Sequence, residues 1–163
     1  IDNARMSSGF GMRRHPISGY SKMHKGIDFA APRGTPIRAA GDGVLSFVGR
    51  KGGYGNYISI RHNNEYTTAY AHMHGHAKGL RKGQRVRQGQ VIGYVGSTGR
   101  STGPHLHYEV LAKGKQVNPS KLQLPAGKSL TGEELQRFLQ QVEAIDALRR
   151  SRMSDTLIAT TPN

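Results

Sequence analysis

The stretch of sequence that best predicts the fold is YISIRHNNEYTTAYAH, which runs from Tyr57 to His72. It contains two short runs rich in β-branched and aromatic residues, Tyr57 to His62 and Tyr66 to His72, on either side of the turn signal Asn63-Asn64. Short runs of this composition, bounded by turn residues, are typical of β-strands. We therefore predict two strands joined by a turn.

The same pattern continues on both sides of this stretch. The further strand-like runs are Ile37 to Ala40, Gly43 to Gly49, Gln90 to Val95 and His105 to Ala112. Turn signals at 52–53 and 99–103 lie too close to these runs to leave room for crossover helices, so we expect antiparallel pairing. The 22 glycines and 7 prolines also favour a mainly β fold.

A weak internal similarity joins residues 35–44 to residues 85–93. Each segment reads as an apolar strand, a glycine turn and a second apolar strand. Glycine supplies the positive φ that a tight reversal between strands requires. We expect two hairpins that pack as related halves.

The length of 163 residues predicts one domain with an appendage. We expect a flexible segment over residues 1 to 8 and a β domain over residues 9 to 125. Thr131 and Glu134 form a capping box, which predicts that a helix begins there. An apolar stripe then continues to about Arg150, so residues 126 to 151 are expected to hold an amphipathic helix and residues 152 to 163 a disordered tail.

The apolar stripe of this helix must be buried against another surface. One alternative is docking on the β domain, and the other is pairing with a regulatory partner or a missing segment of the parent protein. The chain starts at Ile1 rather than methionine, which leads us to expect a cloned or processed fragment. No run of about 20 apolar residues is present, so no transmembrane span is expected in this chain.

The chain carries 24 Lys and Arg against 10 Asp and Glu, a formal charge of +14. Such a surface attracts polyanions, among them nucleic acid, anionic lipid headgroups and acidic cell-wall polymers. Nucleic acid is disfavoured, because aromatic residues are few and no helix-turn-helix pattern is present. The absence of cysteine excludes a disulfide framework, a thiolate nucleophile and a cysteine-ligated zinc.

Two histidines in the last strand-like run are candidate metal ligands. His105 and His107 are two residues apart, so on a strand their side chains lie on one face, about 7 Å apart, and can reach a single site. Glu109 continues this face and is a candidate acceptor that orients a ligand histidine. The competing interpretation is a strand with a solvent-exposed histidine face.

A second candidate pair, His24 and Asp28, lies four residues apart in a segment that contains Gly26. On a straight strand the two side chains would be about 13 Å apart, too far to share an ion, so we expect Gly26 to supply a bend. Zinc held by two imidazoles and one carboxylate keeps a fourth position for water, and the two pairs together predict a hydrolytic zinc site. The alternative is a turn histidine and an unrelated capping aspartate.

A rival metal cluster is formed by His72, His74 and His76, which also alternate. Gly75 is expected to break the strand, which would leave His74 and His76 as solvated loop residues. His72 ends an apolar strand and is the best placed of the three to point into a site. Other hydrolase motifs are absent, since the sequence contains neither a Gly-x-Ser-x-Gly elbow nor a His-Glu-x-x-His helix.

These residues resemble those of the LytM and lysostaphin type zinc endopeptidases, which cut peptidoglycan cross-link peptides. The resemblance covers nearly all of residues 9 to 120. Its motifs are His24-x-x-x-Asp28, Tyr70-Ala71-His72-Met73 and Gly103-Pro104-His105-Leu106-His107-Tyr108-Glu109. The stretch from Gly9 to Pro16 also resembles the entry segment of Gram-negative members.

The resemblance implies that His24, Asp28 and His107 ligate one zinc ion, and that His72 and His105 are catalytic residues beside its open position. It also implies a mainly β fold with open, sandwich-like antiparallel sheets and a groove over the metal. The C-terminal α-helix predicted from Thr131 is an addition to the common core.

The activity implied is hydrolysis of cross-links between peptidoglycan stem peptides, at D-Ala to meso-diaminopimelate in a Gram-negative wall or at a glycyl-glycine bridge. A protein with this substrate works in the periplasm or elsewhere in the cell envelope. Several relatives use an upstream tyrosine to stabilise the oxyanion, and Tyr20 is the candidate here. The alternative is a wall-binding activator of other cell-wall hydrolases that retains the metal without cutting. The sequence leaves open which of His72 and His105 accepts the proton.

Overall fold

The structure is a computed structural model that describes residues 1, 4–14, 21–122 and 132–158. The chain divides into two compact units, residues 1–122 and residues 123–163. The elements of the first unit are β1 (Arg5–Ser8), β2 (Gly11–Arg14), β3 (Ser21–His24), β4 (Ile27–Ala30), β5 (Pro36–Arg38), β6 (Gly43–Arg50), β7 (Asn56–Arg61), β8 (Tyr66–His76), β9 (Arg85–Val86), β10 (Val91–Val95), β11 (His105–Ala112) and β12 (Lys115–Val117). The described part of the second unit is the helix α1 (Gly132–Ile158).

Two long strands, β8 and β11, lie at the centre of a large antiparallel sheet. In the described residues this sheet has the order β1-β4-β11-β8-β7-β6-β9, while β10 pairs with β5 and β8, and β12 pairs with β11. The strands β2 and β3 form a separate two-stranded sheet. The prediction of a mainly β fold with antiparallel sheets and one C-terminal helix is confirmed.

The large sheet has two faces with different roles. Successive side chains on a strand point to opposite faces, and on one face, the core face, Tyr70 of β8 and Leu106 of β11 are buried in the main hydrophobic core. The opposite face, the groove face, carries Ala69 and Ala71 of β8 beside a smaller cluster that contains Tyr57. The buried side chains of the main core are Ala31, Ile37, Ala39, Leu45, Ile58, Ile60, Tyr70, Met73, Val86, Ile92, Val95 and Leu106.

The internally similar segments pair with each other rather than folding as two hairpins. The strand β5 of the first segment pairs with β10, opposite Val91 to Tyr94, and β6 pairs with β9 at Gly43↔Val86 and Val44↔Arg85. The first strand of each segment therefore lies against the second strand of the other. The two segments do pack together as related halves. The expectation of local hairpins is wrong, because the strands of each segment pair with strands of the other segment.

The prediction for β11 matches the observed bounds, whereas β8 continues beyond the predicted end. The expectation that Gly75 breaks the strand and leaves His74 and His76 in a loop is wrong. Gly75 pairs with Tyr94 and His76 with Gly93, so the ladder with β10 holds the strand through both positions. The expected flexibility of residues 1 to 8 is also wrong for β1, because that strand pairs along β4.

The helix α1 is longer than predicted. Its expected N-cap, Thr131, lies outside the described residues, and the helix continues past Arg150 to Ile158. The tail expected to be disordered from residue 152 is therefore helical as far as Ile158, since no glycine or proline ends the helix earlier. Its apolar side chains are 38 to 62% exposed, namely Leu135, Phe138, Leu139, Val142, Ile145 and Leu148. Among the helices described, we find none whose length and apolar character suffice to span a bilayer.

Candidate metal centre and active site

The regular alternation of β11 places three polar side chains on the groove face. His105, His107 and Glu109 share this face, while the intervening Leu106 packs into the main core. Asp28 of β4 lies directly opposite His107 in the antiparallel ladder. Neighbouring strands therefore bring a carboxylate and an imidazole side by side. His105 and His107 lie on one face of β11, as the alternating pattern predicted.

His24 reaches the same point because the chain bends between β3 and β4. The bend lies at Gly26, as expected from the sequence. A Cβ atom on Gly26 would lie 2.5 Å from the Tyr108 carbonyl oxygen and 2.8 Å from Cε1 of His107. Glycine is thus required by the close approach of β11, in addition to any role in the bend.

Three candidate ligand atoms form a small triangle at the base of the groove. His24 Nε2 lies 3.1 Å from Asp28 Oδ1 and 3.1 Å from His107 Nδ1, and the last two atoms are 2.8 Å apart. Ligand atoms held about 2.0–2.2 Å from a tetrahedral ion lie about 3.3 Å from one another. The triangle is therefore close to the size that a single metal ion requires, and these residues form a group that can hold one.

The far nitrogens of both histidines are already hydrogen bonded. His24 Nδ1 donates to the Gly9 carbonyl oxygen at 2.6 Å, and His107 Nε2 donates to Glu109 Oε1 at 3.1 Å. A carbonyl or carboxylate only accepts, so each ring carries its hydrogen on that side when neutral. When both rings are neutral, the two remaining nitrogens and the Asp28 oxygen are three acceptors facing one another, an arrangement that is stabilised by a proton on one ring or by a metal ion among them.

The electrostatics of the site agree with this arrangement. Burial acts to lower the pKa of His107, but the hydrogen bonds to Asp28 and Glu109 outweigh burial and raise the pKa to about 9. Burial acts to raise the pKa of Asp28, yet the hydrogen bonds from His107 and His24 hold it below its ordinary value. Both shifts have the direction expected where a positive charge lies beside an ionised carboxylate.

Glu109 is the hydrogen-bond acceptor that the sequence predicted for a ligand histidine. It is 3% exposed, and besides His107 it accepts from the Tyr54 hydroxyl at 2.8 Å and from Gln116 Nε2 at 3.3 Å. Burial acts to raise the pKa of Glu109, but the hydrogen bonds from His107 and Tyr54 lower it overall. Sequence reasoning missed Tyr54, because nothing in its neighbourhood links residue 54 to residue 109.

His72 and His105 lie beside the triangle with their rings 4.8 Å apart between centroids. His72 Nδ1 donates to the Thr98 carbonyl oxygen and His105 Nδ1 donates to the Gly103 carbonyl oxygen, both at 2.8 Å. His105 Nε2 lies 3.9 Å from Asp28 Oδ1. Burial lowers the pKa of His72 to about 4, so its ring is neutral near pH 7.

A groove of about 660 Å³ opens over these residues and includes all five predicted site residues in its lining. Its two acidic residues, Asp28 and Glu109, both contact histidines of the site. Its two basic residues, Lys25 and Arg100, are exposed. Among the described residues, the groove therefore offers exposed positive charge at its surface and negative charge at its base.

Two further histidines weighed as metal ligands, His74 and His76, lie outside the triangle. His74 is bound to Arg33 through its Nδ1 atom at 2.9 Å. His76 lies two residues further along β8, and neither belongs to the metal triangle. Tyr20, the candidate for stabilising the oxyanion, falls outside the described residues. The rival cluster of alternating histidines is thus divided, since only His72 faces the groove.

Two imidazoles and one carboxylate at the base of an open groove define the class of single-metal sites that leave a position for solvent or substrate. On this antiparallel β fold the site points to a family of metallopeptidases. The model of peptidase family M23 matches residues 22–119, and the chain belongs to this family. The resemblance to LytM and lysostaphin type peptidases is thereby confirmed.

Named relatives and a solved structure agree with this assignment. The chain is 53% identical over 144 residues to the DD-carboxypeptidase/endopeptidase Mpg of Neisseria meningitidis, covering 88% of this chain and 33% of that protein. It is 49% identical over 140 residues to the peptidoglycan DD-endopeptidase ShyC of Vibrio cholerae, covering 85% and 32%. The crystal structure of a zinc containing peptidase from Vibrio cholerae matches with a TM-score of 0.70 at 42% identity, covering 77% of this chain and 39% of that one. The chain thus spans about a third of the length of the curated relatives it matches.

Proposed function

We propose that this chain is the catalytic unit of a zinc-dependent endopeptidase that hydrolyses peptide cross-links of bacterial peptidoglycan. The observation on which the proposal rests is the triangle of three acceptors formed by His24, Asp28 and His107. A structural role alone does not explain why such a triangle opens to a groove. Membership of peptidase family M23 supports the same activity.

The proposed metal is one zinc ion held by His24, Asp28 and His107. Two nitrogens and one carboxylate oxygen suit zinc, and three protein ligands leave the fourth position that catalytic zinc sites need. When bound, zinc would polarise the scissile carbonyl and lower the pKa of its water to about 7. The zinc containing neighbour of known structure supports this choice of metal.

We assign proton transfer to His72. Because its Nδ1 donates to Thr98, the lone pair on its Nε2 is available to the groove, and its low pKa keeps the ring neutral. His72 takes a proton from the attacking water as the carbonyl carbon gains oxygen. It returns that proton to the amine nitrogen as the carbon–nitrogen bond breaks.

We assign stabilisation of the developing oxyanion to His105. Its Nδ1 is committed to the Gly103 carbonyl, so its Nε2 is the atom that faces the groove. When protonated, this nitrogen donates a hydrogen bond toward negative charge that forms on the carbonyl oxygen. The side chain of His105 is 17% exposed, which leaves it within reach of a bound substrate.

The proposed substrate is the D-Ala to meso-diaminopimelate bond between two stem peptides, and a glycyl-glycine bridge is the alternative. Two relatives carry DD-endopeptidase names in Gram-negative bacteria, which favours the first bond. Stem peptides bear carboxylates, and the exposed cations Lys25 and Arg100 at the groove attract them. This substrate places the activity in the periplasm or elsewhere in the cell envelope.

The experiment is digestion of purified sacculi, with zinc content and released fragments measured in the same sample. We expect one zinc per chain, conversion of cross-linked muropeptides to monomers after the treated sacculi are digested with a muramidase, loss of activity with a chelator and recovery on adding zinc. Asp28→Ala should lose both metal and activity, while Glu65→Ala, an exposed acid outside the groove, should retain both. Zinc binding without any cleavage would contradict the proposal and support a wall-binding activator.

A further inference from the structure

His72 lies at an irregular point of the central strand β8. Where β8 pairs with β7, Ile58 lies opposite Tyr70 and Asn56 opposite Met73, so three steps on β8 match two on β7. Where β8 pairs with β10, Val95 lies opposite Met73 and Tyr94 opposite Gly75. Both edges of the strand are thus irregular around this position, which is the pattern of a β-bulge.

The irregularity changes the face on which His72 lies. Regular alternation from Tyr70, a core-face residue, would place His72 in the core, with Met73 on the groove face. Instead Met73 is buried in the main core, and the His72 ring contacts His105 and His107 on the groove face. The bulge therefore moves one histidine from the core face to the metal site.

The backbone of His72 has a conformation that needs support from its surroundings. Its φ is 59°, in the left-handed region that side chains other than glycine rarely adopt. A residue stays in this region only where neighbouring contacts hold it. The contacts that hold His72 in this conformation must come from groups that hydrogen bond to the backbone carbonyls beside it and to its own ring.

Asn56 and Thr98 supply these contacts. Asn56 Nδ2 donates to the carbonyl oxygens of Met73 at 3.2 Å and His74 at 3.1 Å. Thr98 Oγ1 donates to the Met73 carbonyl oxygen at 2.7 Å and accepts from the Asn56 backbone nitrogen at 2.9 Å. The Thr98 carbonyl oxygen in turn accepts from His72 Nδ1. One connected set of hydrogen bonds therefore fixes both the bulge and the ring.

Two glycines allow the segments that carry Asn56 and Thr98 to approach closely. A Cβ on Gly55 would lie 2.4 Å from the Thr98 carbonyl oxygen, and a Cβ on Gly99 would lie 2.4 Å from the Gly55 nitrogen. The Arg100 backbone nitrogen also donates to the Gly53 carbonyl oxygen at 2.7 Å. The two segments thus pack backbone against backbone, which holds Thr98 at a fixed distance from His72.

We propose that Asn56 and Thr98 are positioning residues that hold the bulge of β8 and so keep His72 on the metal face with its hydrogen on Nδ1. The proposal rests on the catalytic role assigned to His72 under the proposed function. It assigns no metal contact to either residue. Loss of either residue should therefore affect turnover while the zinc site remains intact.

The test uses Thr98→Val, which keeps the shape of threonine without its hydroxyl, and Asn56→Asp, which replaces the two amide donors with an acceptor. We expect kcat on a cross-linked muropeptide dimer to fall about tenfold to a hundredfold, with KM changed less than twofold and one zinc per chain retained. Thr98→Ser should restore turnover. Nitrogen-15 NMR of the zinc-loaded protein should show a hydrogen on Nδ1 of His72 in the wild type and a mixture of tautomers in the two variants.

Matched controls are Thr67→Val, at the other end of β8, and Asn63→Asp, whose side chain acts as an acceptor in a turn. Both should leave the His72 signal and turnover unchanged. Wild-type NMR signals for His72 in Thr98→Val and Asn56→Asp would overturn the proposal, whatever the turnover. Each variant removes a different donor to the Met73 carbonyl oxygen, so either one decides the matter if the other does not fold. Shifted signals in a protein that does not cut peptidoglycan would uphold the positioning role and contradict the proposed function instead.

Discussion

The strands β8 and β11 both carry histidines at alternate positions, but the two series have different outcomes. On β11 the ladder is regular, so His105 and His107 share one face and meet at one site. On β8 the bulge separates His72 from His74, and only His72 reaches the groove. Alternating spacing therefore predicts a shared site only where the strand is regular.

The two strands also differ in what orients their histidines. On β11 the proposed ligand His107 is held by the carboxylate of Glu109, two residues further along the same strand. On β8 the ring of His72 is held by the carbonyl of Thr98, 26 residues away. Local sequence specifies the first arrangement, whereas the second depends on how distant loops pack.

The largest effect is expected from His107→Ala compared with His74→Ala. His107 supplies a corner of the metal triangle, so its loss should abolish zinc binding and cleavage together. His74 lies two residues after His72 on the bulged strand β8 but outside the triangle. The His74→Ala variant should therefore retain one zinc per chain and near wild-type turnover. Metal analysis and a muropeptide assay on the same preparations measure both. Zinc and activity retained by His107→Ala would show that the assignment of ligands is wrong.

His72→Ala should lower turnover about 10²-fold to 10⁴-fold while zinc binding is retained. The ring lies beside the triangle without contributing a corner of it, so the metal site should not need His72. Zinc content and kcat of the purified variant measure the two effects separately. Loss of zinc in this variant would place His72 among the ligands and remove the contrast between the two strands.

Much of the fold and site could be predicted from sequence because it depends on local pattern. The bounds of β11, the antiparallel pairing and the bend at Gly26 all follow from residues near one another in the chain. The resemblance to a known family supplied the assignment of His24, Asp28 and His107. The structure adds that one nitrogen of each histidine and one oxygen of Asp28 lie 2.8 to 3.1 Å from one another.

What could not be predicted depends on contacts between distant segments. The bulge at His72 needs Asn56 and Thr98, which no local pattern connects to it. The continuation of β8 through Gly75 depends on pairing with β10, which overrides the weak strand preference of glycine. The exchange of strands between the similar segments likewise depends on tertiary pairing rather than on either segment alone.

Gly26→Ala should disrupt β11, the regular strand, because the added methyl group would crowd His107. The added Cβ would lie 2.8 Å from Cε1 of His107 and 2.5 Å from the Tyr108 carbonyl oxygen, so the backbone or the ring must move. We expect a loss of about 1–3 kcal/mol in the free energy of unfolding, measured in urea, together with weaker zinc binding. Gly75→Ala on β8 is the control, since no atom lies within 4 Å of its added Cβ. Equal stability of the two variants would show that β11 tolerates displacement at this point.

The smallest effect is expected from Glu109→Gln, which keeps the shape of the side chain and removes its charge. A neutral amide accepts more weakly from His107 Nε2, so zinc affinity should fall about tenfold to a hundredfold, measured by competition with a chelating dye. Glu65→Gln is the control, because its 3.8 Å pair with Lys113 is exposed and contributes little. Turnover at saturating zinc should stay near the wild-type value, since Glu109 orients a ligand and is not assigned a proton-transfer step. An unchanged zinc affinity in Glu109→Gln would mean that strand pairing between β11 and β4 alone sets the position of His107. In that case β11 would need no carboxylate to orient this histidine.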